Sequence, residues 1–227
     1  MPAQLRVVIP AAGVSRRMSG DTPKQYLPLA GQTVIEWALA PFLKRADVAD
    51  IVVVLSREDK RFSTLITKNR IRTTLGGAER VESVLRGVQA LNADDTDWVL
   101  VHDAARPCLH DDDLAKLISE IAADDVGGLL AAPVVDTLKV ADAARATATV
   151  SREKLWMAFT PQMFRYDLLE RALRGVVDAG LNVTDESSAI EHLGLQPKLV
   201  QGRSDNIKIT VSEDLQHAEF ILRQRAR

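Results

Sequence analysis

The segment Pro10-Ala11-Ala12-Gly13-Val14-Ser15-Arg16-Arg17-Met18, followed by Pro23-Lys24-Gln25-Tyr26-Leu27, sets small residues beside cations. Ala11, Ala12 and Gly13 let backbone N–H groups approach a ligand closely, and Arg17 and Lys24 supply the countercharge a polyphosphate needs. The pattern is neither G-x-G-x-x-G nor G-x-x-x-x-G-K-[ST], so a dinucleotide oxidoreductase and a Walker-type ATPase lose their best support. A surface loop with solvated cations is the competing reading. Three more segments carry chemistry. In His102-Asp103-Ala104-Ala105-Arg106-Pro107, Asp103 is suited to orienting a magnesium–nucleotide or holding a cation, against the plainer role of starting a turn. Gly76-Gly77-Ala78-Glu79-Arg80-Val81-Glu82-Ser83 is a glycine turn opening a helix. Its backbone groups and Ser83 either read a base edge or cap that helix. In Gly202-Arg203-Ser204-Asp205-Asn206-Ile207-Lys208, the lysine matters only if the chain returns to the same cleft.

Alternating strand-like and helix-like stretches must position these groups, and they argue for an α/β fold: a doubly wound, Rossmann-like, mostly parallel sheet. Leu5–Ile9, Ile51–Leu55, Trp98–His102 and Val126–Pro133 are apolar runs of the kind buried on both faces of a parallel sheet; Ile71–Leu75 is weaker. Val81, Val84, Leu85, Val88 and Leu91 share one helical face, as do Leu114, Leu117, Ile118 and Ile121. A helix around Thr33–Arg45 is expected to kink or break at Pro41. Another, carrying Leu168 to Val177, stops at Gly180, and Ser212 is the expected cap of a closing helix through Arg223. Asp111, Asp112 and Asp113 suit a helix start. Val135–Thr160 breaks the rhythm: Asp136–Val140 and Ala146–Arg152 read as a hairpin-like arm inserted at about 135–160 into one domain spanning 1–227. Ligands in open α/β sheets bind beyond the carboxyl ends of the strands, where the first three segments above fall.

Composition narrows the function classes. The 227 residues are 46% hydrophobic, with Lys+Arg 29 against Asp+Glu 31 and a net charge of -2. No large field favours nucleic acid or an anionic membrane as partner. No apolar run approaches the about 18 residues of a spanning helix, and the N-terminal residues lack the apolar core of a signal peptide, so a cytoplasmic protein is expected. Cys108 is the single cysteine, which excludes an intrachain disulfide and multi-cysteine metal sites; it reads as a small packed thiol. His102, His110, His192 and His217 show no zinc-hydrolase spacing.

Taken together, the segments resemble the 2-C-methyl-D-erythritol 4-phosphate cytidylyltransferases of the non-mevalonate isoprenoid pathway. The resemblance rests on P-A-A-G-x-x-R-R-M with P-K-Q-Y-L, G-G-x-x-R-x-x-S-V, V-H-D-A-A-R-P, A-A-P-V-x-D-T-x-K, T-P-Q-x-F, T-D-E-S-S-A and G-x-x-x-N-I-K-I-T, in the family's order over Val7–Thr210. It implies transfer of CMP from CTP to the methylerythritol phosphate with release of pyrophosphate, and magnesium or another divalent cation as cofactor. Arg17 and Lys24 become the catalytic pair. Pro10, Ala11, Ala12, Gly13, Gly77, Ser83, Asp103 and Ala104 become nucleotide-binding, and Arg106, Thr137, Arg152, Thr160, Asp205 and Lys208 substrate-binding. Asp103 is also the metal candidate, the ion being held mainly by the triphosphate.

The resemblance further implies a homodimer in which the arm crosses to the partner, so that Thr137 and Arg152 act in the neighbour's site. Two residues depart from the family pattern: Ser15 stands where many members have glycine, and Ala78 replaces a frequently acidic residue. The nearest rival is a cytidylyltransferase for another polyol phosphate, such as ribitol 5-phosphate. A nucleotide-sensing protein that had lost catalysis should lack Arg17, Lys24 or Lys208, and all three are present.

Overall fold

The computed structural model describes residues 3–13, 22–65 and 71–225. In chain order the elements are β1 (Leu5–Pro10), β2 (Pro28–Leu29), β3 (Gln32–Thr33), α1 (Val34–Leu43), β4 (Val48–Leu55), α2 (Phe62–Leu65), β5 (Ile71–Leu75), α3 (Arg80–Gln89) and β6 (Trp98–Val101). There follow α4 (Asp111–Ile121), β7 (Gly127–Pro133), β8 (Leu138–Asp142), β9 (Arg145–Val150), β10 (Trp156–Arg165), α5 (Tyr166–Asp178), α6 (Glu186–Glu191), β11 (Lys198–Gln201) and α7 (Ser212–Arg225). Among the described residues, seven strands form one sheet in the order β11-β7-β10-β6-β1-β4-β5. Every neighbouring pair is parallel except those of β10, which runs antiparallel between β6 and β7.

The apolar runs are strands because both of their faces are buried. Val7, Ile9, Ile51, Val53 and Leu100 pack with Leu39 of α1 and Leu114 of α4 on one side. Val8, Val52, Val54, Val99 and Val101 pack with Val84 of α3 and Leu169 of α5 on the other. Alternate residues thus serve opposite cores, and no polar face remains to impose a period of two. A smaller apolar cluster joins Leu29, Cys108 and Ile209 to α7. The Cys108 thiol is buried there, and burial pushes its pKa up to about 12, as suits a packing residue.

Close approach fixes one glycine. A Cβ on Gly128 would lie 2.1 Å from the Lys198 carbonyl oxygen on β11 and 2.8 Å from Ile121. Gly128→Ala must therefore push two paired backbones apart. It is expected to cost about 1–3 kcal/mol, seen as a lower denaturant midpoint at unchanged slope; an unchanged midpoint would refute this packing.

Three expectations need correction, and one strand is added. Of the kink or break expected at Pro41, a break is excluded: helix α1 runs through the proline and ends two residues later, at Leu43. Ser212 does not cap the closing helix; it is the first helical residue, and Asp214 reaches back to accept from Thr210 N, Thr210 Oγ1 and Val211 N. The hairpin is shorter than 135–160, since β8 and β9 span Leu138 to Val150 and the chain from Trp156 rejoins the main sheet as β10. Finally, β10 itself went unrecognised in the sequence.

Candidate active site

The loops at the carboxyl ends of β1, β5 and β6 meet around a cavity of about 230 Å³. It is lined by Pro10, Ala11, Ala12 and Gly13, by Lys24, by Gly77 and Ser83, by Asp103 and Ala104, and by Lys208. Ten of the residues expected from the sequence thus share one cleft. The small side chains have a steric cause: a Cβ on Gly76 would sit 2.5 Å from that of Ala12 and 2.8 Å from Ser83 Oγ, so the loops close only with glycine there.

Lys24 opens a 3-10 turn (Lys24–Tyr26) fixed by the residues after it. Gln25 Nε2 donates to the Ala11 carbonyl at 2.8 Å, and Tyr26 donates to Asp59 at 2.5 Å. The Lys24 ammonium donates to the Ile209 carbonyl at 2.9 Å, bringing it beside the segment that carries Lys208. Ser83 accepts from Gly77 N at 3.0 Å and donates to the Glu79 carbonyl at 3.0 Å. It therefore ties down the start of α3 while still facing the cavity, so the two roles considered for it coexist.

Asp103 lies in a ring of cations. Lys208 Nζ is 2.8 Å from its Oδ2, Arg106 Nε is 3.6 Å from the same oxygen, and Arg80 Nη2 is 3.1 Å from Oδ1. Burial by itself favours the neutral acid, but Arg80, Lys208 and Arg106 together outweigh it and hold the carboxyl well below the usual range. Below the cleft, Thr160 Oγ1 accepts from Asp103 N at 3.0 Å and contacts His102 Nδ1 at 3.0 Å. The Arg106 carbonyl, 3.0 Å from Nε2, can only accept, so the neutral imidazole carries its proton on Nε2 and Thr160 Oγ1 donates to the bare Nδ1. Burial lowers the His102 pKa to about 4, so the ring is neutral and acts as structural support.

Arg106 and Thr160 are accordingly buried beside Asp103 rather than on the cavity wall. Thr137 and Arg152 lie on the exposed arm, away from that wall; Arg152 donates to the Val135 carbonyl. Asp205 is not on the cavity wall either: its carboxylate accepts from Arg225 Nη2 at 2.8 Å, which ties the loop to α7. Arg17 and Ser15 lie outside the described residues. Gln25, Arg80 and Glu186 were given no role in the sequence reading, although Arg80 and Glu186 stand inside the G-G-x-x-R and T-D-E-S-S-A patterns.

No group of three or more His, Cys, Asp or Glu among the described residues forms a metal cage. A hard cation that keeps phosphate and water ligands needs only one or two protein carboxylates. The cavity carboxylate Asp103, already engaged by Lys208, Arg80 and Arg106, would add at most one ligand to an ion held mainly by phosphate. No described helix is long and apolar enough to cross a membrane.

A mostly parallel α/β sheet whose strand ends open on a small-residue loop, two lysines and a pinned carboxylate defines the class: a nucleotide-binding protein suited to phosphoryl chemistry by positioning and charge. The sequence matches the model of the 2-C-methyl-D-erythritol 4-phosphate cytidylyltransferase family over residues 5–224. The Pseudomonas putida (strain GB-1) protein of that name is 53% identical over 96% of this chain and 94% of its own. That of Serratia proteamaculans (strain 568) is 48% identical over 96% and 93%. A crystal structure of a 4-diphosphocytidyl-2C-methyl-D-erythritol synthase superposes with a TM-score of 0.87 at 39% identity, covering 98% of this chain and all of the other. The Thermus thermophilus cytidylyltransferase gives 0.81 at 32%, covering 97% and 99%. The chain belongs to the 2-C-methyl-D-erythritol 4-phosphate cytidylyltransferase family, and so to the nucleotidyltransferases.

Proposed function

We propose that this chain transfers CMP from CTP to 2-C-methyl-D-erythritol 4-phosphate, forming 4-CDP-2-C-methyl-D-erythritol and pyrophosphate in non-mevalonate isoprenoid precursor synthesis. The observation that carries the reading is the meeting of Lys24, Lys208, Asp103 and the Pro10–Gly13 loop on one cavity in a chain of this family.

A phosphomonoester dianion must reach the α-phosphorus of a triphosphate carrying about four negative charges. Its oxygen forms the new P–O bond as the bond to the α–β bridging oxygen breaks, and the electron pair leaves with pyrophosphate. The attacking oxygen is already anionic, so no general base is needed, in keeping with a neutral, fully engaged His102. Positioning and charge neutralisation remain. Lys24, with Arg17, stabilises charge on the α-phosphate and the departing pyrophosphate, and the 10–13 loop receives the phosphates. Ala11, Ala12, Gly77 and Ser83 receive cytosine, and Asp103 and Ala104 the ribose. Lys208, supported by Arg106 and Thr160 and joined by Thr137 and Arg152, grips the incoming phosphate. A divalent cation, magnesium by charge and ligand type, would ride on the triphosphate with Asp103 as its protein ligand and neutralise phosphate charge.

The arm supports a homodimer with shared sites. Its strands β8 and β9 are exposed along their whole length, and Val135, Val140, Val150, Trp156 and Met157 leave apolar surface in water. An isolated two-stranded hairpin is marginal in water, and a second copy of the chain would cover it. We place the reaction in the cytoplasm, in keeping with a lone buried free thiol.

Pyrophosphate release from CTP with a panel of polyol phosphates tests the reading. Turnover is expected with the methylerythritol phosphate; faster turnover with ribitol 5-phosphate would replace it with the rival. CTP is expected to be used over UTP by about tenfold or more. Ser83 has spent its proton on Glu79, so its remaining lone pair accepts from the cytosine amino group but repels the uracil O4. ATP and GTP should be poorer still in a pyrimidine-sized pocket. Equal kcat/KM for CTP and UTP would mean that Ala78 has relaxed base recognition.

A further inference from the structure

The T-D-E-S-S-A segment takes no part in the mechanism above, yet it delivers a charge to the floor of the site. Glu186, the first residue of α6, is fully buried. Its Oε1 accepts from Arg80 Nη1 at 2.6 Å, and its Oε2 lies 3.4 Å from Nη2. The same Nη2 reaches Asp103 Oδ1 at 3.1 Å. We propose that Glu186 and Arg80 are positioning residues for nucleotidyl transfer: Glu186 aims the Arg80 guanidinium, Arg80 fixes Asp103, and Asp103 in turn fixes Lys208.

The argument is one of geometry and cost. A buried carboxylate paired with a partly exposed guanidinium contributes little net stability compared with apolar residues of the same size, because the carboxylate gives up its hydration. What the pair supplies is direction. A planar guanidinium gripped at two nitrogens cannot rotate, so its contact to Asp103 Oδ1 holds that carboxylate in one orientation. Oδ2 is then presented to Lys208 Nζ at 2.8 Å. Arg80 begins α3, Asp103 follows β6 and Glu186 begins α6, so the chain of contacts locks three separate elements of the sheet's carboxyl end to one another. Arg80 also lines the cavity, whereas Glu186 does not, which leaves Glu186 able to act only through its neighbours.

This inference rests on the cytidylyltransferase reading, and steady-state kinetics test it with Glu186→Gln and Arg80→Lys. Glutamine keeps the shape and a hydrogen-bond acceptor while removing the charge; lysine keeps the charge but cannot grip two carboxylates at once. Both are expected to remain folded and to lose about tenfold or more in kcat/KM for the polyol phosphate. The decisive readout is a double-mutant cycle. In an Asp103→Asn background, Glu186→Gln should cost no more than about twofold further, since the route to Lys208 is already cut. Should Glu186→Gln unfold, Arg80→Lys carries the same cycle. Retention of full kcat/KM by both variants, or a loss that adds in full to that of Asp103→Asn, would overturn the proposal. The unmutated enzyme separates the two failures. If it releases no pyrophosphate with the methylerythritol phosphate, the transferase reading falls. The pair is then judged by calorimetric CTP affinity, where the same variants and the same cycle should show about tenfold weakening routed through Asp103, and unchanged affinity would sink it.

Discussion

Lys24→Ala is expected to cut turnover about 100-fold or more while leaving the protein folded. The turn that carries Lys24 is held by Gln25 on the Ala11 carbonyl and by Tyr26 on Asp59, not by the lysine, so the substitution removes an ammonium without moving the wall behind it. The loss of its hydrogen bond to the Ile209 carbonyl costs about 1 kcal/mol, a small part of the about 5–15 kcal/mol that holds a domain together. The charge that develops as the α–β bond breaks, by contrast, loses a preorganised donor in a partly enclosed cleft. Turnover number, Michaelis constants and a denaturant unfolding curve for the same preparation separate these effects. Near-normal turnover with a raised Michaelis constant for CTP would reduce Lys24 to a ground-state binder.

The second large effect is a gain. Lys24→Ala and Arg152→Ala chains, each nearly inactive alone, are expected to recover about one quarter of wild-type activity when co-refolded at equal concentration. Arg152 lies on the exposed arm and does not line the cavity of its own chain, whereas Lys24 does. If the arm serves the partner, each mixed dimer holds one doubly damaged site and one intact site, made of a Lys24-bearing body and an Arg152-bearing arm. Random pairing makes about half the dimers mixed, hence about a quarter of all sites intact. If Arg152 serves its own subunit, every site keeps one lesion. No recovery, with subunit exchange confirmed by differently tagged chains, would remove the shared site and leave the transferase chemistry standing.

Much of the frame was legible because the sheet's parallel strands are buried on both faces. Such strands read as near-continuous apolar runs: Trp98–Val101 is wholly apolar, and Leu5–Pro10 and Val48–Leu55 are each interrupted by a single charge, Arg6 and Asp50. The helix that ends before Gly180 was legible for a local reason too, since that glycine has a positive φ of 63°. The strand Trp156–Arg165 left no such trace. It carries Thr160, Pro161 and Gln162 at its centre, and its ladder is irregular between Ala158 and Gln162. What makes it a strand is its slot between two others, and what lets Gln162 be buried is its bonds to Asp185 and Ser187.

The same division runs through the site. The residues themselves determined the phosphate-loop composition, the cations and the family patterns, because backbone access and charge are properties of residue type and short spacing. Tertiary structure decided which of them act together. Lys24 and Ile209 are 185 residues apart and Arg80 and Glu186 are 106 apart, separations that no periodicity can encode. It also turned Asp205 toward Arg225, withdrew Arg106 and Thr160 beneath the floor, and set Asp103 among three cations. The reason is that a side chain's partners are fixed by where the folded sheet brings distant loops. Whether a buried charge recovers the hydration it loses depends on those partners.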